Sequence, residues 1–229
     1  MRGRLLAPAV SGLLALALAS CGGQDTAAPA EPATGVCADV GGCRVVADED
    51  LDGDGVRDQV GFVVASKRRV VVHVKTASGD ELRRSLPVLW FPRGEFYGAA
   101  PIDGRPGAEL VVGTNMGAHT LWFTTLSVQN GRLVRLDPPG AEGEWMIDGA
   151  FSFHAGVTRR VEDGRAVVVL HEAGRDGAQA TFTGRDRTYV WRDGGWQHRS
   201  TTRPRYAGEG EAAQVGGWHV RGLPRFPAF

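Results

Sequence analysis

Short apolar runs, separated by glycines and small polar residues, follow one another along most of the chain. Runs of this length, rich in valine and bounded by turn residues, are typical of β-strands, whereas helices need longer stretches with a 3.6-residue period. The clearest runs cover residues 60–65, 70–74, 110–113, 121–128 and 167–170. Glycine makes up 33 of the 229 residues, which is about twice its usual share. The pattern predicts an antiparallel all-β domain that is rich in turns.

A glycine that follows a short polar residue marks the turns between predicted strands. Such pairs supply the positive φ angles that tight hairpins need. The predicted hairpins join 70–74 to 81–86 through Ser78-Gly79, 121–128 to 132–136 through Asn130-Gly131, and 188–191 to 196–199 through Asp193-Gly194. Further strands are predicted in 90–97 and 145–153, and a closing strand at 218–221. The remainder of the C-terminal segment, rich in proline and glycine, is expected to be weakly ordered.

An internal repeat organises these strands. Residues 52–60 align with residues 103–111, an offset of 51, and a shortened third copy begins at Asp163. Units of about 50 residues with three or four antiparallel strands are what propeller blades look like in sequence. Three units are fewer than the four of the smallest usual closed propeller. The expected fold is therefore an incomplete or small β-propeller-like arrangement, with a sandwich or barrel built from the same hairpins as the alternative.

The nonapeptide Asp-Leu-Asp-Gly-Asp-Gly-Val-Arg-Asp at residues 50–58 carries the most specific chemistry. Its four carboxylates and one backbone carbonyl fall at the ligand positions of a calcium loop: Asp50, Asp52, Asp54, Val56 and Asp58. Hard oxygen ligands at alternating positions suit Ca²⁺, and a glycine at the sixth position allows the sharp turn. Position 12 is Gly61 instead of the glutamate of an EF-hand, and a strand follows directly. The sequence predicts a calcium site, and a solvated acidic turn is the alternative.

The loop and the strand behind it resemble the calcium-loop β repeats of the FG-GAP and VCBS type, which are integrin-like. In these repeats Asp-x-Asp-x-Asp-Gly-x-x-Asp runs straight into a strand, as residues 50–58 do here. The resemblance covers residues 48 to about 199, and only the first loop carries a full motif. It implies a β-repeat protein with bound Ca²⁺ that binds partners or serves as a scaffold on a surface.

The second copy of the loop departs from the motif. Asp103 and Glu109 match Asp52 and Asp58, but Arg105 replaces the ligand at Asp54. A guanidinium group excludes a metal cation, and it is expected either to bridge Asp103 and Glu109 in the ion's place or to lie in solvent. Only the first loop is therefore predicted to bind calcium.

The N-terminus predicts export and lipid anchoring. Two arginines precede an apolar run that ends in Leu18-Ala19-Ser20-Cys21. This is the layout of a secretory signal, and it is too short for a transmembrane helix. The tetrapeptide resembles the bacterial lipobox, which implies that cleavage leaves Cys21 as a lipidated N-terminal residue. An ordinary signal peptide is the alternative. The predicted organisation is a signal helix at 1–20, a flexible tether at 21–36, a β domain at 37–199 and a tail at 200–229.

The other two cysteines, Cys37 and Cys43, flank a short loop that contains Gly41-Gly42. In an exported protein this spacing favours a disulfide, with two free thiols as the alternative. A zinc site is disfavoured because no second Cys or His pair lies at ligand spacing.

Charge and motifs exclude several function classes. The net charge is zero, so nothing indicates a nucleic-acid partner. The sequence lacks the common hydrolase, metalloprotease and phosphate-loop motifs, and no enzymatic activity is predicted. The expected role is binding or structural support at the extracytoplasmic face of the membrane, with a cell-envelope protein or polysaccharide as partner. The alternative is a surface hydrolase or a carbohydrate-binding accessory protein.

Overall fold

The computed structural model describes residues 35–89 and 95–227. Its secondary structure consists of 15 strands, one four-residue helix and one 3₁₀ turn. The predicted all-β class is confirmed. The predicted signal helix and most of the tether, with Cys21, lie outside the described residues, and so do residues 90–94. Among the described residues, no helix is long and apolar enough to cross a bilayer.

The first sheet is a four-stranded antiparallel meander. It contains, in spatial as well as chain order, β1 (Cys43–Glu49), β2 (Asp58–Ser66), β3 (Arg69–Lys75) and β4 (Glu81–Pro87). The valines of β3 are buried on both faces because the strand lies between β2 and β4 and the sheet is covered on both sides at this point. β4 is an edge strand, with β3 as its hydrogen-bonded neighbour.

The second sheet contains the other eleven strands. Its strands are β5 (Glu95–Ala100), β6 (Glu109–Met116), β7 (Thr120–Gln129), β8 (Arg132–Arg135), β9 (Trp145–Ala150), β10 (Phe153–Glu162), β11 (Arg165–Arg175), β12 (Phe182–Arg192), β13 (Gly195–Thr202), β14 (Arg205–Tyr206) and β15 (Gly217–His219). β5 to β8 and β10 to β13 form two further antiparallel meanders. β9 pairs with both β7 and β10 and so fuses the two meanders into one sheet.

The predicted hairpins are present. Val70 pairs with Leu86 in the first sheet, and Gln129 pairs with Arg132 across Asn130-Gly131. Asn130 has a φ of 50° and Gly131 a φ of 67°, which is the left-handed geometry that a two-residue hairpin turn requires. The hairpin through Asp193-Gly194 is also present.

The shortened third copy of the loop is a tight turn instead of an open loop. Asp163 and Gly164 are the only two residues between β10 and β11, so this copy has no room for a ring of ligands. It nevertheless occupies the corresponding place in the topology. The loop at 50–57, the loop at 101–108 and this turn each connect the first two strands of a meander.

One hydrophobic core joins the two sheets. It includes Phe62 and Val72 from the first sheet and Leu110, Trp145 and Trp218 from the second. The Trp218 ring lies 5.7 Å from that of Trp145, so both tryptophans serve packing. Strand orders among the described residues do not close into a barrel.

The C-terminal segment is more structured than the sequence pattern predicted. The expected strand at Trp218 is β15, which pairs with β10 in parallel. Before it come α1 (Glu209–Ala212) and the 3₁₀ turn Ala213–Val215. The hydroxyl of Tyr97 donates a hydrogen bond of 2.7 Å to the carbonyl of Pro224. Proline and glycine here shape a segment that packs on the sheet.

Candidate metal centre

The acidic loop connects β1 to β2 and brings three of its four aspartates together. Asp50, Asp52 and Asp58 each offer one carboxylate oxygen, and these atoms all lie within 4.8 Å of one another. Asp58 is the first residue of β2 and is fully buried, Asp50 is half-buried and Asp52 is exposed. The set therefore runs from the core to the solvent and is open on one side.

Backbone amides of the loop point at the first aspartate. The amide of Gly53 donates to Oδ1 of Asp50 at 2.7 Å, and that of Gly55 donates to Oδ2 at 3.0 Å. Both glycines have positive φ, 83° and 87°, which is why glycine is favoured at these positions. The turn is therefore wound around the Asp50 carboxylate.

Asp58 ties the loop to the rest of the first sheet. Its carboxylate accepts hydrogen bonds from the amide of Leu51 at 2.8 Å and from the amide of Ala77, between β3 and β4, at 2.9 Å. A buried carboxylate is stable only when such donors replace its water. The orientation of this ligand is thus fixed by two other parts of the chain.

The other two predicted ligands lie in the same loop but outside this set. Oδ1 of Asp54 accepts a hydrogen bond of 2.7 Å from the amide of Val56, and the Asp54 amide donates to Oδ1 of Asp52 at 3.1 Å. Both Asp54 and Val56 are exposed. The structure brings together three predicted ligands and leaves these two at the rim.

The charge of the loop is not balanced by cationic side chains. Among the described residues, none of the four aspartates forms an ion pair with Lys, Arg or His. Loss of some hydrating water raises the pKa of the Asp52 carboxyl, and repulsion from Asp58, Asp54 and Asp50 adds to this, while the hydrogen bond from the Asp54 amide lowers it. Oxygen-only donors with excess negative charge are suited to a hard divalent cation.

The predicted disulfide between Cys37 and Cys43 is present, with a Cα–Cα distance of 5.4 Å. It lies directly over Gly61, where an added Cβ would be 2.8 Å from Sγ of Cys43 and 3.1 Å from Sγ of Cys37. Gly61 is the position at which an EF-hand has its glutamate. No side chain fits there without a shift of the disulfide, so the residue is glycine for a packing reason.

The second loop holds an arginine in place of a ligand. Nη1 of Arg105 forms an ion pair of 2.7 Å with Oδ2 of Asp103. Its guanidinium stacks 4.7 Å from the ring centre of Trp191 and donates to the carbonyl of Gly194 at 3.3 Å. The expected bridge is therefore correct for Asp103 only. Arg105 otherwise reaches the β12–β13 hairpin, which the sequence did not indicate.

Glu109 repeats the role of Asp58 in the second loop. Its Oε2 accepts a hydrogen bond of 2.6 Å from the amide of Ile102, as Asp58 does from Leu51. Burial raises the pKa of Glu109 to about 8, with repulsion from Asp103 adding to it, and the amide bonds and Arg105 acting in the opposite direction.

The two loops are in direct contact. The amide of Ala108 donates to the carbonyl of Asp50 at 2.8 Å. A Cβ on Gly53 would lie 2.4 Å from Cβ of Pro106, so the backbones approach as closely as glycine allows. The alignment of the loops in sequence gave no sign that they pack together.

A second polar cluster was not found by sequence reasoning. Nδ1 of His171 donates a hydrogen bond of 2.9 Å to Oδ1 of Asp186, and its Nε2 is 2.9 Å from Oγ1 of Thr158. The three residues lie on the consecutive strands β10, β11 and β12, 13 and 15 positions apart along the chain. Only the strand pairing, which places His171 opposite Asp186, would have revealed them.

Comparison with protein-family models, with curated proteins and with solved structures finds no match for this chain.

Proposed function

We propose that this chain is a lipid-anchored extracytoplasmic β-repeat protein, in which the first loop binds Ca²⁺ for stability and the domain has a binding or structural role at the cell surface. The observation that carries the metal site is the convergence of Asp50, Asp52 and Asp58 within 4.8 Å. These residues would hold the ion, with Asp54 and the Val56 carbonyl closing on it from the rim. Bound there, the cation would offset the repulsion among the carboxylates.

Two further features support this assignment. Three four-stranded meanders, each with its turn or loop between the first and second strands, fit a propeller-like repeat of the FG-GAP or VCBS type. The Cys37–Cys43 disulfide is typical of an oxidising compartment outside the cytoplasm. Together with the lipobox-like segment at Cys21, it favours the cell membrane as the location, with the domain on the outer side.

Calorimetric titration of the chelator-treated domain tests the metal site directly. Extracellular calcium modules bind with Kd values of roughly 10⁻⁴ to 10⁻³ M, and this range is expected for CaCl₂. Asp52→Ala should abolish the binding heat, because it removes one of the three convergent carboxylates and only one hydrogen bond. Asp80→Ala, which removes an exposed carboxylate from the turn between β3 and β4, should leave the heat unchanged. Absence of calcium binding by the wild-type domain would refute the metal site.

A surface hydrolase is the second candidate function, and the polar cluster of Thr158, His171 and Asp186 favours it. A hydroxyl, an imidazole and a carboxylate in sequence are the arrangement of nucleophile, base and orienting group. His171 is mostly buried, however, with its side chain about 15% exposed. Turnover of activated esters that is lost in Thr158→Val but retained in Asp52→Ala would favour this candidate. If the wild-type protein shows no turnover, this cluster is a structural contact between strands and not a catalytic site.

A further inference from the structure

A groove on the surface lies between two edge strands, β4 and β8. It has a volume of about 770 Å³. β4 ends the first sheet, and β8 is bonded to β7 alone among the described strands. The groove shares no residue with the acidic loop or with the polar cluster of Thr158, His171 and Asp186.

The lining residues place the groove at the open edges of both strands. Four consecutive residues of β4, from Glu81 to Arg84, line one wall, and residues 131–135 line the other. Successive side chains of a strand point to opposite faces. A groove that touches every residue in such a run must therefore reach the strand edge, where unpaired backbone groups are available.

The groove is basic. Its charged residues are four arginines, Arg83, Arg84, Arg132 and Arg135, and two acids, Glu81 and Asp137. The acids are already paired: Asp137 lies 2.7 Å from Nε of Arg135, and Glu81 lies 3.6 Å from Nζ of Lys75. Among the described residues, the other three arginines have no ion-pair partner. They present planar guanidinium forks that match carboxylates.

The lining of the groove is mostly polar. Its apolar residues are Leu82 and Leu133, which are buried, and Val134, which is exposed. An extended chain with alternating acidic and apolar side chains would place carboxylates on the arginines and an apolar group on Val134, while its backbone paired with a strand edge. This is the recognition mode in which a peptide adds a strand to an open sheet.

We propose that the groove between β4 and β8 is a docking site for an extended acidic peptide segment of a partner protein. The unpaired arginines provide charge complementarity, and the open strand edges distinguish a peptide from other polyanions. Anionic polysaccharides and polyphosphates offer charge but no peptide backbone, whose regularly spaced N–H and C=O groups are needed to pair with a strand.

Fluorescence anisotropy with a short labelled peptide of alternating glutamate and valine tests the proposal. Arg83→Glu combined with Arg132→Glu should weaken binding by about tenfold or more, because two attractive contacts become repulsive. The matched control, Lys67→Glu with Arg68→Glu, makes the same change of net charge outside the groove and should alter the Kd by less than about twofold. If the groove variant melts at a lower temperature than the control, Arg83→Gln combined with Arg132→Gln is used in its place. This variant should weaken binding by a smaller factor, because it removes the attraction without adding repulsion.

Two N-methylated versions of the peptide separate strand pairing from charge. One is methylated on the valine amides and the other on the glutamate amides, and at least one should lose binding. A lack of binding by the parent peptide, equal weakening in groove and control variants, or full binding by both methylated peptides would each overturn the proposal. Binding of polyphosphate through the same arginines, with no effect of methylation, would identify a general polyanion site in its place.

Discussion

Individual residues around the acidic loop are set by backbone geometry as much as by charge. The glycines at 53 and 55 allow amides to point at Asp50, and the Asp-Gly pattern in sequence was enough to predict that turn. The reason for Gly61 was hidden, because it depends on a disulfide that closes over β2 from an earlier part of the chain. Sequence motifs predict local backbone geometry well, but they do not show contacts between segments that meet only in the folded protein.

The contact at Gly61 leads to a stability prediction. Gly61→Ala should destabilise the domain by about 1–3 kcal/mol, because the new methyl group overpacks against the disulfide sulfurs. Gly41→Ala is the matched control: no atom lies within 4 Å of its added Cβ, and a change within about 0.5 kcal/mol is expected. Urea unfolding of the oxidised protein measures both. Equal stability of the two variants would contradict the packing account of Gly61.

Glu109 should make stability depend on pH. Its folded pKa is raised from 4.5 to about 8, so its stabilising effect is fully present below the unfolded value and is lost as pH rises through about 8. Glu109→Gln keeps a neutral acceptor for the Ile102 amide. Between about pH 5 and 8, the wild type should lose stability relative to this variant, as followed by urea unfolding at each pH. Parallel stability curves would show that Glu109 is ionised in the folded protein.

Strands and hairpins were largely predictable, and their assembly into sheets was not. Polar-Gly pairs fixed the turns at Asn130 and Asp193, since those residues must adopt positive φ. The bridging role of β9 has no local signature, because it depends on pairing with strands on both sides. The same applies to the contact between the two loops, where Ala108 meets Asp50.

Arg105 is expected to couple the second loop to the β12–β13 hairpin. Arg105→Ala and Trp191→Leu should each lower the free energy of unfolding, and their double-mutant cycle should give a coupling of about 0.5–1 kcal/mol from the stacked guanidinium. Arg68→Ala combined with Trp191→Leu serves as the control and should be additive. A coupling of zero in the Arg105 cycle would mean that the stack contributes nothing to stability.

At the scale of the whole molecule, the sequence predicted the fold class but not the arrangement of the two sheets. Turn-rich composition and short strands were sufficient to predict the all-β class. They were not sufficient for the two sheets sharing one core, or for the packed C-terminal segment, whose prolines and glycines suggested weak order. Its hydrogen bond to Tyr97 joins residues 127 positions apart, a separation that local patterns cannot report.

Lipid anchoring through Cys21 is a prediction about the full-length protein in the cell. Cys21→Ser should remove the lipid attachment site and move the protein from the membrane fraction to the soluble fraction or the medium, because two acyl chains are needed for stable attachment. Fractionation and immunoblotting measure the distribution, with Cys37→Ser as a control that keeps Cys21. Retention of the Cys21 variant in the membrane would contradict the lipoprotein assignment.

Calcium-linked stability is the measurement that tests the account most directly. Adding 10 mM CaCl₂ to chelator-treated protein should stabilise it by about 1.4–2.7 kcal/mol for a Kd of 10⁻³ to 10⁻⁴ M, which corresponds to a rise in Tm of roughly 3–10 °C for a domain of this size. Asp52→Ala should lose the shift, and Asp80→Ala should keep it. A wild-type melting curve that does not move on adding calcium, or a shift that persists in Asp52→Ala, would contradict the proposed metal centre.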